Sequence, residues 1–162
     1  MIIKNFLTEE ECRILLDEAQ TSDKWKPQNK DTGIFILSSI NHNILINIYK
    51  RVSELFEKPL HTQMIRMIHK TDKDSFWEEH SDNSGGNNIK YGVVIYLNDN
   101  FEGGQLVYPE SNYTIKPERG MLVYHAGDKI HGVSKVESGI RYTLTSFIRG
   151  KNDIDITKGL GV

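Results

Sequence analysis

Hydrophobic positions change their period along the chain. Behind the acidic run Glu9-Glu10-Glu11, residues Leu15, Leu16 and Ala19 form a modest apolar side. Thr8 and Glu11 stand at the spacing of a capping box, in which each side chain caps the other's backbone donor, and the acids suit the positive helix N-terminus. The spacing predicts a helix over residues 8–20. A second helix is expected from Asn41 or Asn43, where Ile44, Leu45, Ile48, Val52, Leu55 and Phe56 recur at helical spacing, and it ends before Pro59.

From residue 61 the pattern is one of strands. Met64–His69, Tyr91–Asn98, Gln105–Tyr108, Met121–Tyr124, Ile130–Ser134 and Ile140–Ile148 are short runs rich in β-formers, and glycine-, asparagine- and serine-bearing turns separate them. Helices first and closely spaced strands afterwards predict an α+β domain in which helices buttress a β-sandwich or barrel. No repeat or linker divides the chain, so one domain over 1–162 is expected. In the last strand Arg141, Thr143, Thr145 and Phe147 share one face, while Ile140, Tyr142, Leu144 and Ile148 share the other. That face is either the watered side of an edge strand or the lining of a pocket.

Composition narrows the function classes. A net charge of −2 gives no basic footprint for nucleic acid. The single cysteine, Cys12, excludes an intramolecular disulfide and a thiolate zinc cluster, and a reducing, cytoplasmic setting is expected. The opening MIIKNFLTEEE reads as no signal peptide, and no apolar run reaches the length of a membrane span.

The candidate chemistry begins at His80-Ser81-Asp82. At the end of a strand, residues i and i+2 project to one face and can share an ion. Imidazole and carboxylate with a second histidine make the two-histidine, one-carboxylate set of non-haem iron(II) oxygenases, which leaves positions open for a bidentate keto acid and dioxygen. His131-Gly132-Val133 supplies that histidine, directly ahead of Gly139-Ile140-Arg141-Tyr142. Arginine offers a rigid fork of donors that matches a carboxylate, so Arg141 suits the far end of a dicarboxylic keto acid. His125 competes for the third ligand position, since it too follows a strand-like run; His131 is preferred because it precedes the arginine strand across a short turn. His42, His61 and His69 read as structural or exposed. The polar segment Asn83–Asn88 reads equally as a lid or a plain loop.

These residues stand with Tyr96-Leu97-Asn98-Asp99, Phe101-Glu102-Gly103-Gly104-Gln105-Leu106, Pro117, Gly120 and the opening Asn5-Phe6-Leu7-Thr8 in an order that resembles prolyl 4-hydroxylase-like 2-oxoglutarate/iron(II) oxygenases, over residues 1–149. The resemblance implies a double-stranded β-helix (jelly roll) behind N-terminal helices. It implies Fe(II) on His80, Asp82 and His131, and 2-oxoglutarate on Arg141. It further implies Tyr96 and Thr145 as hydrogen-bonding partners of 2-oxoglutarate, Leu106 as a packing contact, and ascorbate dependence. The activity implied is hydroxylation of a proline in a peptide or protein partner. The same chemistry on a free amino acid, small molecule or nucleobase, and a non-catalytic jelly-roll binding module, are the alternatives. Against a nucleic-acid substrate, the last strand lacks the asparagine and second arginine of the superfamily's dealkylases. Where many members carry a tyrosine and a glycine ahead of the triplet, this chain has Lys70–Trp77.

Overall fold

Local sequence fixes the first helix, Glu9–Thr21. Thr8 Oγ1 accepts from the Glu11 N–H at 3.1 Å, and the Glu11 carboxylate accepts from the Thr8 N–H at 2.9 Å. A Thr8→Ala protein is expected to lose about 1 kcal/mol in urea unfolding, because the Glu11 N–H loses its side-chain acceptor. In this computed structural model residues 1–28, 33–37, 42–57, 61–62, 67–84, 86 and 88–150 are described. The second helix is His42–Ser53. Asn41, Pro59, residues 64–66 of the expected strand and the last twelve residues of the expected domain lie outside that set. Arg51 ties the helices together, donating to Glu11 at 2.6 Å and to the Phe6 carbonyl at 3.0 Å.

The strands form an antiparallel eight-stranded sheet. Its path runs Ile2–Ile3, Leu122–Ala126, Ile89–Tyr96, Arg141–Arg149, Met67–Thr71, Ile34–Leu37 and Lys26–Pro27, with His61–Thr62 pairing to the end of Arg141–Arg149. A second sheet runs Tyr113–Ile115, Leu106–Tyr108, His131–Val133 and Trp77–His80, and a small ladder joins Glu102–Gly103 to Val136–Ser138. This is the jelly roll expected from the family resemblance.

Two cores follow from strand alternation. Cys12, Leu15 and Ala19 of the first helix and Ile48 and Val52 of the second pack with Ile68, Val93, Ile95 and Leu144 on the outer face of the large sheet. The intervening residues point the other way, where Tyr96, Val94 and Val123 meet Leu106, Tyr108 and Val133 of the small sheet. Strands inside a sandwich therefore read as nearly continuous apolar runs, since both faces are covered. Arg141–Arg149 is a central strand, hydrogen-bonded to Met67–Thr71 on one side and Ile89–Tyr96 on the other. Its polar face is therefore interior, which removes the edge-strand alternative.

Eight of the fourteen described strands were not foreseen, most of them two or three residues long, and two of the eight shape the site. Ile34–Leu37 is a four-residue apolar run after Gly33, too short to separate from a turn by periodicity. Trp77–His80 is polar and sits on the rim; its pairing with His131–Val133, rather than its composition, makes it a strand.

Candidate active site

Register builds the centre of the site. His80 and His131 are directly opposed partners of neighbouring antiparallel strands, so their side chains rise on one face with ring centroids 4.5 Å apart. Asp82 follows His80 by two residues and returns to the same face. Its Oδ1 lies 3.8 Å from Nε2 of each histidine, and the three side chains offer ligand atoms within 4.8 Å of one another.

The tautomers suit a cation. His80 Nδ1 lies 2.8 Å from the Glu78 carbonyl and His131 Nδ1 lies 2.9 Å from the Lys129 carbonyl. Both nitrogens donate to those carbonyls, which leaves each Nε2 lone pair facing Asp82. Burial, reinforced by the neighbouring His125 ring, lowers the pKa of His131 to about 4, so the ring is neutral and able to ligate near neutrality.

The cluster opens into a cavity of about 210 Å³ between the sheets. All four residues of the polar face predicted for the last strand, Arg141, Thr143, Thr145 and Phe147, line it, as does Leu106. Arg141 is only 3% exposed, and its guanidinium lies 5.2 Å over the Tyr96 ring. Asn98 sets its position: Oδ1 accepts from the Tyr142 N–H at 2.8 Å, and Nδ2 donates to the Ile140 carbonyl at 2.8 Å. Arg141 Nε, Thr143 Oγ1 and the Tyr96 hydroxyl are buried with no hydrogen-bond partner among the described residues. Orphaned buried donors around an arginine call for an anionic, oxygen-rich ligand, because such groups cost about 1–3 kcal/mol each when left unmade. The residues present therefore fit a divalent metal with an adjacent dicarboxylate.

Of the two readings of His69, exposed and structural, the structure removes the first: the residue is buried, lines the cavity, and has its Nδ1 3.0 Å from Thr145 Oγ1. The alternation of Met67, His69 and Thr71 against Ile68 carried the signal, since these three face Thr145, Thr143 and Arg141 across the ladder. Burial, with a smaller push from Arg141, lowers its pKa from 6.5 to about 4. Above pH 6.5 the ring is neutral in both the folded and unfolded chain and contributes no pH dependence. Between 6.5 and 4 only the unfolded chain takes up the proton, so stability falls with falling pH, by about 3 kcal/mol at the acid end. A His69→Asn protein is expected to show a shallower fall over this window in urea melts without ligand; parallel curves would overturn the assignment.

Trp77 also escaped notice. It lines the cavity, stacks edge-on with His69 at 5.5 Å, and donates from Nε1 to Thr71 Oγ1 at 3.3 Å. His125, the competing ligand, is buried beside His131 at 4.0 Å between centroids but stands outside the three-residue cluster. Described residues of the Asn83–Asn88 segment do not line the cavity; Asn83 closes a turn, its N–H donating to the Gly127 carbonyl and its Oδ1 accepting from the Ile89 N–H.

A jelly roll that opposes a two-histidine, one-carboxylate cluster to a buried arginine is the architecture of a 2-oxoglutarate/iron(II) oxygenase. No family model matches the chain. Among curated proteins it is 24% identical to a "PKHD-type hydroxylase" of Synechococcus sp. (88% of this chain, 76% of that one). It is 28% identical to "Probable prolyl 4-hydroxylase 10" of Arabidopsis thaliana over 72% of this chain, and spans 47% of that relative's length. Its fold matches the viral collagen prolyl hydroxylase of Paramecium bursaria Chlorella virus-1, solved with 2-oxoglutarate, at a TM-score of 0.76 and 17% identity, covering 93% and 94% of the two chains. It also matches a Trichoplax adhaerens prolyl hydroxylase solved with a hypoxia inducible factor peptide, at 0.73 and 18%, covering 93% and 83%. By sequence and fold the chain resembles the prolyl 4-hydroxylases.

Proposed function

We propose that this protein is a 2-oxoglutarate- and Fe(II)-dependent dioxygenase that hydroxylates a prolyl residue of a peptide or protein. The observation that carries the reading is the placement of His80, Asp82 and His131 in the same small cavity as the buried, partner-poor Arg141. His80 and His131 would hold the iron through Nε2, and Asp82 through Oδ1. Arg141 would grip the distal carboxylate of 2-oxoglutarate, with Thr145, Tyr96 and His69 as hydrogen-bonding neighbours and Leu106 as an apolar wall.

When bound, iron with 2-oxoglutarate and dioxygen supplies the oxidation, in which the keto acid becomes succinate and CO2 and a substrate C–H becomes C–OH. The chain's own residues orient the reactants and exclude water. Met67, Val94, Val133 and Phe147 make the cavity wall largely apolar, so the arginine–carboxylate contact forms in a medium of low dielectric. Side-chain nucleophiles have no part in this chemistry.

A second groove, of about 460 Å³, shares Gln28, Trp77 and His80 with the first and continues past Phe76, which is 51% exposed. It gives an extended peptide a route to the metal. The prolyl preference rests on the hydroxylase names of the relatives. The experiment is succinate formation from 2-oxoglutarate with Fe(II) and ascorbate, with and without a proline-rich peptide, beside His80→Ala. Turnover that rises with peptide, adds one oxygen atom to it and vanishes in the variant supports the reading. Turnover without stimulation or modification keeps the enzyme class and discards that peptide; a metal-loaded protein with no turnover overturns the enzyme reading.

A further inference from the structure

Resting on the metal site proposed above, we propose that His125 is a positioning residue: it holds Asp82 Oδ2 by a hydrogen bond, so that Asp82 offers the metal Oδ1 alone. The two carboxylate oxygens of Asp82 have different surroundings. Oδ1 faces the Nε2 atoms of His80 and His131. Oδ2 is turned away from them and lies 3.2 Å from His125 Nε2. A carboxylate can only accept, so Nε2 carries the ring proton and donates it.

The other side of the ring is held as well. His125 Nδ1 lies 2.9 Å from the Tyr108 hydroxyl, whose O–H donates to it. Burial raises the Tyr108 pKa, which keeps that hydroxyl protonated. His125 belongs to the large sheet and Tyr108 to the small one, so the pair braces Asp82 across the sandwich. His125 is 8% exposed and the Asp82 side chain 9%, so little water competes for these hydrogen bonds.

Gly92 gives an independent sign that the contact is built in. It is the cross-strand partner of His125, and a Cβ there would collide with Asp82 Oδ2 and stand 2.9 Å from His125 Nε2. The glycine leaves the lane through which ring and carboxylate meet.

The consequence is a count of coordination positions. Three single-atom ligands leave three positions of an octahedron, two for a chelating keto acid and one for dioxygen. If Asp82 bound through both oxygens, the last position would be filled. With both nitrogens engaged, His125 itself is not a ligand; it decides how many positions Asp82 takes.

The test titrates Co(II) into the full chain and follows its visible absorption, whose intensity falls as coordination number rises. In His125→Phe, binding should weaken about 10–100-fold, the usual effect of losing a partner of a metal ligand, and the Co(II) bands should change. His125→Gln should restore most of the affinity and the parent spectrum, because its amide N–H reaches the same oxygen. Tyr108→Phe should show a smaller loss. Parent-like affinity and spectrum in His125→Phe, or a His125→Gln as impaired as His125→Phe, would overturn the proposal. Where His125→Phe loses its near-ultraviolet circular dichroism, the other two variants decide: an impaired Gln variant or an unaffected Tyr108→Phe overturns it. A parent protein that binds no Co(II) would bring down the metal site itself, and this proposal with it.

Discussion

An Asp82→Ala protein is expected to bind Fe(II) or Co(II) at least about 10²-fold more weakly than the parent, since loss of a mere supporting partner of a ligand already costs about 10–100-fold. Asp82 is the carboxylate of the cluster, and its removal leaves three neighbouring imidazoles, His80, His125 and His131, with no negative charge to offset a divalent ion. The effect is readable without turnover. A metal at 100 times its dissociation constant adds about 2.7 kcal/mol to stability, so the parent's unfolding midpoint should rise on adding Co(II) while the variant's stays put. Asp82 sits in a turn just beyond Trp77–His80, so the metal-free variant should fold normally. A variant that retained the metal-induced rise would move the site elsewhere, with His125 the first residue to suspect.

The second large effect concerns Arg141. An Arg141→Met protein should show an apparent affinity for 2-oxoglutarate weaker by about 30- to 5000-fold, corresponding to the roughly 2–5 kcal/mol lost when one member of a buried charged pair is removed. Its ligand-free stability should change in the opposite sense. The guanidinium is 3% exposed with an unsatisfied Nε, and replacing a poorly compensated buried charge by an apolar side chain of similar length is often neutral or stabilising. Arg141→Lys should bind 2-oxoglutarate better than Met and worse than arginine, because one ammonium cannot reproduce the fork. Equilibrium binding of 2-oxoglutarate and urea unfolding of the same three proteins give both readings. A destabilised Met variant with unchanged 2-oxoglutarate affinity would make Arg141 a structural residue instead.

The features legible in the sequence are those fixed by neighbours along the chain. The Thr8–Glu11 box needs only a spacing of three, and the structure contains both of its hydrogen bonds. The alternation of Arg141, Thr143, Thr145 and Phe147 needs only a period of two, and the four residues line one cavity. The triplet His80-Ser81-Asp82 presents two groups on one face for the same reason. Asn98 was legible only as part of the Tyr-Leu-Asn run; its work, bracketing the start of the arginine strand, appears when residues 98 and 142 meet.

What the sequence could not separate were alternatives that differ only across strands. His125 follows one strand-like run and His131 stands near the start of the next, six residues apart. Pairing in the small sheet places His131 opposite His80, whereas pairing in the large sheet places His125 opposite Gly92, behind Asp82. His69 and Trp77 show the same limit, because each reaches the cavity through a ladder partner distant in sequence. By itself, then, the sequence determined the helix starts, the faces of the strands and the chemical types available, all products of backbone geometry over a few residues. The tertiary structure alone decided which histidine joins the cluster, which stands behind it, and that Arg141 is buried beside orphaned donors, because register and burial are set by the packing of two sheets and not by local propensity.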